Sequence, residues 1–166
     1  MKKYSCSILY FIILLLAEFS ANSQKILFDA KAIVAISDAD MAASVFADGK
    51  LLREKGGKDQ FSVIKLPIER GLDEVKSVIA SNSVLNGIKS LVIAPNGKLA
   101  YVVESHGVIP ENIIEVKNVL NDLPAGGFVT VVDISDISQP KLLYKFPTGR
   151  NPIALDIDKL GRVRWI

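Results

Sequence analysis

Apolar and polar residues alternate in short runs along most of the chain, and turn-forming residues bound each run. Strands are expected at 32–36, 61–67, 75–80, 90–94, 99–103, 128–134 and 142–146, all rich in Val, Ile, Leu and aromatics. Pro95-Asn96-Gly97 between two of them signals a hairpin, because Asn and Gly accept the positive φ that a tight turn demands. Residues 136–140 and Pro147-Thr148-Gly149 punctuate the later connections. One segment breaks this rhythm. After Pro110, residues Ile113, Val116, Leu120 and Leu123 recur at spacings of three and four, which predicts a helix of roughly three turns ending at Leu123-Pro124-Ala125-Gly126-Gly127.

The strands repeat. Shifting "SLVIAPNGKLAYV" (90–102) forward by 64 positions lays it on "ALDIDKLGRVRWI" (154–166), with Leu91 on Leu155, Gly97 on Gly161 and Tyr101 on Trp165. A shift of 67 lays "AIVAI" on "LAYVV", "FSVIKLP" on "FVTVVDI" and "VKSVIA" on "LLYKFP". The difference between the two shifts falls in the loop 81–87. The unit therefore has four strands, and a repeated four-stranded antiparallel unit is the signature of a β-propeller blade.

"LVIAPNGKLAYVVES", "GFVTVVDIS" and "FPTGRNPIALDID" resemble the blade repeat of YVTN-type, lactonase-like seven-bladed propellers. Asp133 and Gly149 to Pro152 follow the family pattern, and Asn96 stands where its turn has Asp. Glu104-Ser105 replaces its usual Asn at the end of the second strand. The likeness is close over 87–166 and looser over 32–79. It implies an all-β fold, a partial β-propeller of four-stranded antiparallel blades with one short inserted helix. The divisions expected are an incomplete first blade at 24–86, a complete blade at 87–150 and the start of a truncated third blade at 151–166.

Residues 1–23 lie outside that scheme. Lys2 and Lys3 precede an apolar run of about ten residues, and Ala21 and Ser23 supply small side chains at its exit. This is the order of a secretory signal helix, cleaved between Ser23 and Gln24, and the run is short of the roughly 20 residues that span a bilayer. Export to the periplasm or exterior follows, with no membrane contact after cleavage. Cys6, the only cysteine of the 166 residues, belongs to that leader, which leaves no disulfide and no thiolate metal site. Of 20 basic and 18 acidic residues, Lys2, Lys3 and Glu18 are lost with it, so the remainder carries a formal charge of +1 without a long like-charged block. No nucleic-acid partner is indicated.

Two links, 37–60 and 104–127, are each about two dozen residues long where a blade needs only a few. By the resemblance, links at this position lie around the central channel of a propeller. An apolar helical stripe is more often core, so the inserted helix is read first as a cover for exposed blade edges or the channel mouth. The alternative is that these long loops, on a rigid sheet scaffold, bind a protein, glycan or small ligand. The candidate ligand-binding residues are Glu104, His106, Glu111 and Asp156. A lone His near carboxylates can shuttle a proton or ligate a metal, but a metal site needs more ligands than one His offers. Asp156 replaces an apolar residue inside a strand, at the position of Val92 one unit earlier. The spaced acids of "ISDADMA" and "DISDIS" lack the Gly and closing Glu of a calcium loop, and no nucleophile, zincin or phosphate-loop motif occurs. No metal, cofactor or catalytic residue is assigned.

Three functions remain. The first is a non-catalytic exported propeller module that binds or scaffolds. The second, which the resemblance implies, is a lactonase-like hydrolase whose site would need further blades. The third is a fragment, since about two and a half blades fall short of the 4–8 of closed propellers. Open blade edges would then favour self-association.

Overall fold

The computed structural model describes residues 29–41, 44–52, 56–68, 75–83 and 89–166. The expected signal helix and the Ile26-Leu27-Phe28 segment lie outside the described residues. Among the described residues, three antiparallel sheets follow one another in chain order. The first contains β1 (Ala32–Ser37), β2 (Gln60–Lys65) and β3 (Val75–Ile79). The second contains β4 (Leu91–Ile93), β5 (Leu99–His106), β6 (Ala125–Asp133) and β7 (Lys141–Pro147). The third is a hairpin of β8 (Leu155–Ile157) and β9 (Val163–Trp165). A four-stranded antiparallel sheet thus forms from β4 to β7, with its strands hydrogen-bonded in sequence order. Its first turn closes as anticipated: Gly97 sits at φ 69° and donates to the Ala94 carbonyl, while Lys98 N–H is held by Asn96 Oδ1.

The sheets are stacked face to face. Phe61, Val63 and Ala80 of the first unit pack against Ala100, Val102, Val132 and Ile134 of the second. The opposite face of the second sheet presents Val103 and Val129 to Leu155 and Val163 of the hairpin. Phe146 and Trp165 meet there with ring centroids 5.6 Å apart, and Trp165 Nε1–H donates to the Thr148 carbonyl. Covered on both sides, β6 buries Val129, Thr130, Val131 and Val132 in succession instead of alternating. Each such Val contributes about 1.5–3 kcal/mol on transfer from water.

Register corrects the repeat by one residue. Phe61 pairs with Ile36 and Val78, while Val129 pairs with Val103 and Phe146. β2 and β3 thus superpose on β6 and β7 at a shift of 68, although β1 matches β5 at 67. The slip matters because one residue exchanges the two faces of a strand. In the hairpin, Leu155 pairs with Trp165 and Ile157 with Val163. Trp165 therefore stands in the place of Val102, not of Tyr101. The cause is a tighter turn, in which Asp158 Oδ1 accepts from Leu160 and Arg162 N–H groups and Oδ2 binds the Arg162 guanidinium at 2.6 Å.

The helix expected after Pro110 is the larger correction. Only one turn forms, α2 (Val119–Asp122), matched by one turn in the first insertion, α1 (Val45–Asp48). Residues 114–116 are not helical because their backbone is committed elsewhere: the Ile114 carbonyl accepts from Leu51 N–H and Val116 N–H donates to Gly49. Pro110 begins a turn closed by Ile113 N–H, and Asp122 Oδ2 caps the single turn through the N–H groups of Lys117 and Asn118.

Candidate functional site

The two insertions fold onto each other. Met41, Val45 and Leu51 from the first share a core with Ile109, Val116 and Leu123 from the second. None of these side chains belongs to either inter-sheet core. A backbone bridge between Lys50 and Glu115 locks the pair, and Ile109 N–H donates to Asp40 Oδ2 at 3.0 Å. Gly49 makes the approach possible. It ends α1 at φ 75°, and a Cβ there would collide with the Val116 carbonyl oxygen.

Between this loop core and the end of β3 lies a cleft of about 570 Å³. Its apolar walls are Ile79, Val108, Ile109 and Ile114; Asp40, Asp59, Glu111 and Lys58 supply charge, and Ser81 lines it as well. Asp59 is buried at the base of the first insertion. Its Oδ1 accepts from Ala39 N–H at 2.9 Å and its Oδ2 from Asn82 N–H at 3.0 Å. Burial pushes its carboxyl above the usual range and the Asp40 charge adds to the rise, although backbone hydrogen bonds from Ala39, Asn82 and Asp40 oppose both. Asn82 Nδ2–H in turn donates to the carbonyls of Ser37 and Ala80. The Asp59–Asn82 pair thus ties both ends of the insertion to the exit of β3.

Carboxylate oxygens of Asp38, Asp40 and Asp59 lie within 4.8 Å of one another. Each of the three residues already accepts a backbone N–H, from Met41, Ile109 and the Ala39–Asn82 pair respectively. The cluster therefore braces the loop.

The residues singled out from the sequence go to different places. Glu111 lies on the exposed rim of the cleft. Glu104 is buried near the end of β5 and pairs with Lys145 Nζ at 3.6 Å. His106 is buried too, with Nδ1–H donating to the Pro124 carbonyl at 3.3 Å. Desolvation lowers its pKa from the ordinary value, so the neutral ring is favoured. Asp156 is exposed on the far side of the hairpin, opposite Arg164. Glu104, His106 and Asp156 do not line the cleft. Asp40 was visible in sequence only as one of several spaced acids, and Asp59, Ser81 and Ile79 carried no signal.

No protein-family model, curated protein or solved structure matches the chain.

Proposed function

We propose that this chain is part of an exported, propeller-type repeat module of the YVTN or lactonase-like kind, and that it binds a ligand between two loop insertions. The observation that carries the binding reading is the cleft beside the loop core. It lies off the inter-sheet cores, and its walls come from segments fixed to one another by backbone hydrogen bonds. A preformed concave site with apolar walls and a few polar groups is the usual form of a small-molecule site. The propeller reading is supported by antiparallel sheets in chain order, stacked face to face and repeating at near-constant spacing. Export rests on the order of residues in 1–23.

Binding is preferred to hydrolysis for a geometric reason. Among the candidate residues, Glu104 and His106 are each held by a structural partner and lie off the cleft, so the cleft offers neither of them to a substrate. The test is a fragment mixture titrated into the 15N-labelled chain lacking residues 1–23. Saturable shifts should gather at the amides of Ile79, Ser81, Val108 and Ile114. Shifts that are scattered or absent contradict the reading.

A further inference from the structure

We infer that the cleft selects a small organic cation with an apolar body, its ammonium or amidinium head beside Asp40 and Asp59 and its body against Ile79, Val108 and Ile114. This rests on the proposal that the cleft is a binding site and adds the ligand's chemistry.

Three observations converge. First, Ile79, Val108 and Ile114 are 59%, 70% and 75% exposed, yet they come from separate segments and line one cleft. Scattered surface aliphatics need no explanation, but their convergence on a single concavity matches the wall of an apolar ligand site. Second, the charge is graded with depth. Asp59 is buried and Asp40 half-buried, whereas Lys58 and Glu111 sit on the exposed rim and offset each other. The interior is therefore anionic, and its carboxylates are fixed by Ala39, Asn82 and Ile109 N–H groups. A carboxylate oxygen that accepts one N–H keeps a further lone pair for a cationic donor. Third, Ser81 is more than nine-tenths buried, lines the same cleft, and its Oγ has no hydrogen-bond partner. A buried hydroxyl left unpaired is costly. The Ser81 Oγ is sealed from solvent, and a rotation about its χ1 would turn it toward a ligand N–H donor in the cleft.

Anionic ligands are disfavoured by the same carboxylates. A bare divalent ion would use the acids but leave three exposed aliphatic walls without a role.

The experiment uses the chain lacking residues 1–23 with hexylamine, hexanol, hexanoate and calcium chloride as separate probes, read by amide shifts. Hexylamine should saturate at the cleft amides, hexanol should bind at least tenfold more weakly, and hexanoate should not bind. Asp40→Asn, which keeps an oxygen for Ile109 N–H, should weaken hexylamine about tenfold, while Asp156→Asn should leave it unchanged. Glu111→Gln, on the exposed rim, should cost about two- to threefold and serves if Asp40→Asn does not fold. Equal or tighter binding of hexanol or hexanoate at the cleft overturns the cation assignment but leaves the binding site standing. Calcium shifting the Asp38, Asp40 and Asp59 amides while hexylamine is silent overturns it in favour of a metal ion. No probe acting at the cleft overturns both the assignment and the proposed site.

Discussion

Replacing Leu51 by Ala should loosen the two insertions together. Leu51 is fully buried in a core drawn from both, with Ile109, Val116 and Leu123 as partners across the interface. Leu→Ala changes in protein cores cost about 2–5 kcal/mol, less where the surroundings can close in. Its neighbours here sit on loops and single-turn helices, so about 2–3 kcal/mol is expected. That core is separate from the two between sheets, so the loss should appear as local opening. Native-state hydrogen exchange reads it directly. The amides of Leu51 and Val116, which donate across the interface to Ile114 and Gly49, should exchange roughly 30- to 150-fold faster. The amides of Val103 and Val131, inside the stacked sheets, should change by less than about threefold, an allowance for small relayed effects. If residues 44–51 loosen while Val116 keeps its protection, the insertions do not share a core and the reasoning fails.

Other perturbations test neighbouring parts of the structure. Gly49→Ala combines a left-handed backbone with a collision at the Val116 carbonyl, and should lower stability by about 2 kcal/mol or more in urea denaturation. Thr130→Val removes a buried hydroxyl with no hydrogen-bond partner from the face toward the first sheet, and should raise stability by about 1 kcal/mol; a loss would show that the hydroxyl is satisfied. His106 has a folded pKa below its unfolded value, so the folded state binds fewer protons. Its contribution is fully present above about pH 6.5 and is lost as pH falls through the lowered folded value. Urea midpoints at pH 7.5 and 5.5 should therefore fall further for the native chain than for His106→Gln, and parallel falls would remove this role.

The strands were legible in the sequence because their signals are local: apolar runs of strand length bounded by Asn-Gly, Asp and Pro. Exact register was not. Val129-Thr130-Val131-Val132 is apolar or buried on both faces, so sliding the repeat by one residue costs nothing in sequence similarity. Only the cross-strand partners of Phe61 and Val129 show which face each takes. The inserted helix departs from its spacing for a related reason. Ile113, Val116 and Leu123 do turn toward one core, but the core includes Leu51 and Val45 from far upstream. Their spacing fits a helix equally well, and the backbone bridge to Gly49 and Leu51 leaves no local trace. The cleft was least legible, since Asp40, Asp59, Ile79 and Val108 become neighbours only after both insertions dock. Of the candidate residues, Glu111 reached it from the loop beyond β5, whereas Glu104 and His106 of the same insertion remain within β5.

Docking of the two insertions is the claim on which the cleft, its ligand and the loop energetics depend. Methyl–methyl nuclear Overhauser spectra of the Ile, Leu and Val-labelled chain would examine it most directly. Cross-peaks are predicted from Val45 and Leu51 to Ile109, Val116 and Leu123. Cross-peaks confined within each insertion, with the sheet methyls of Val102 and Val132 still in contact, would contradict it.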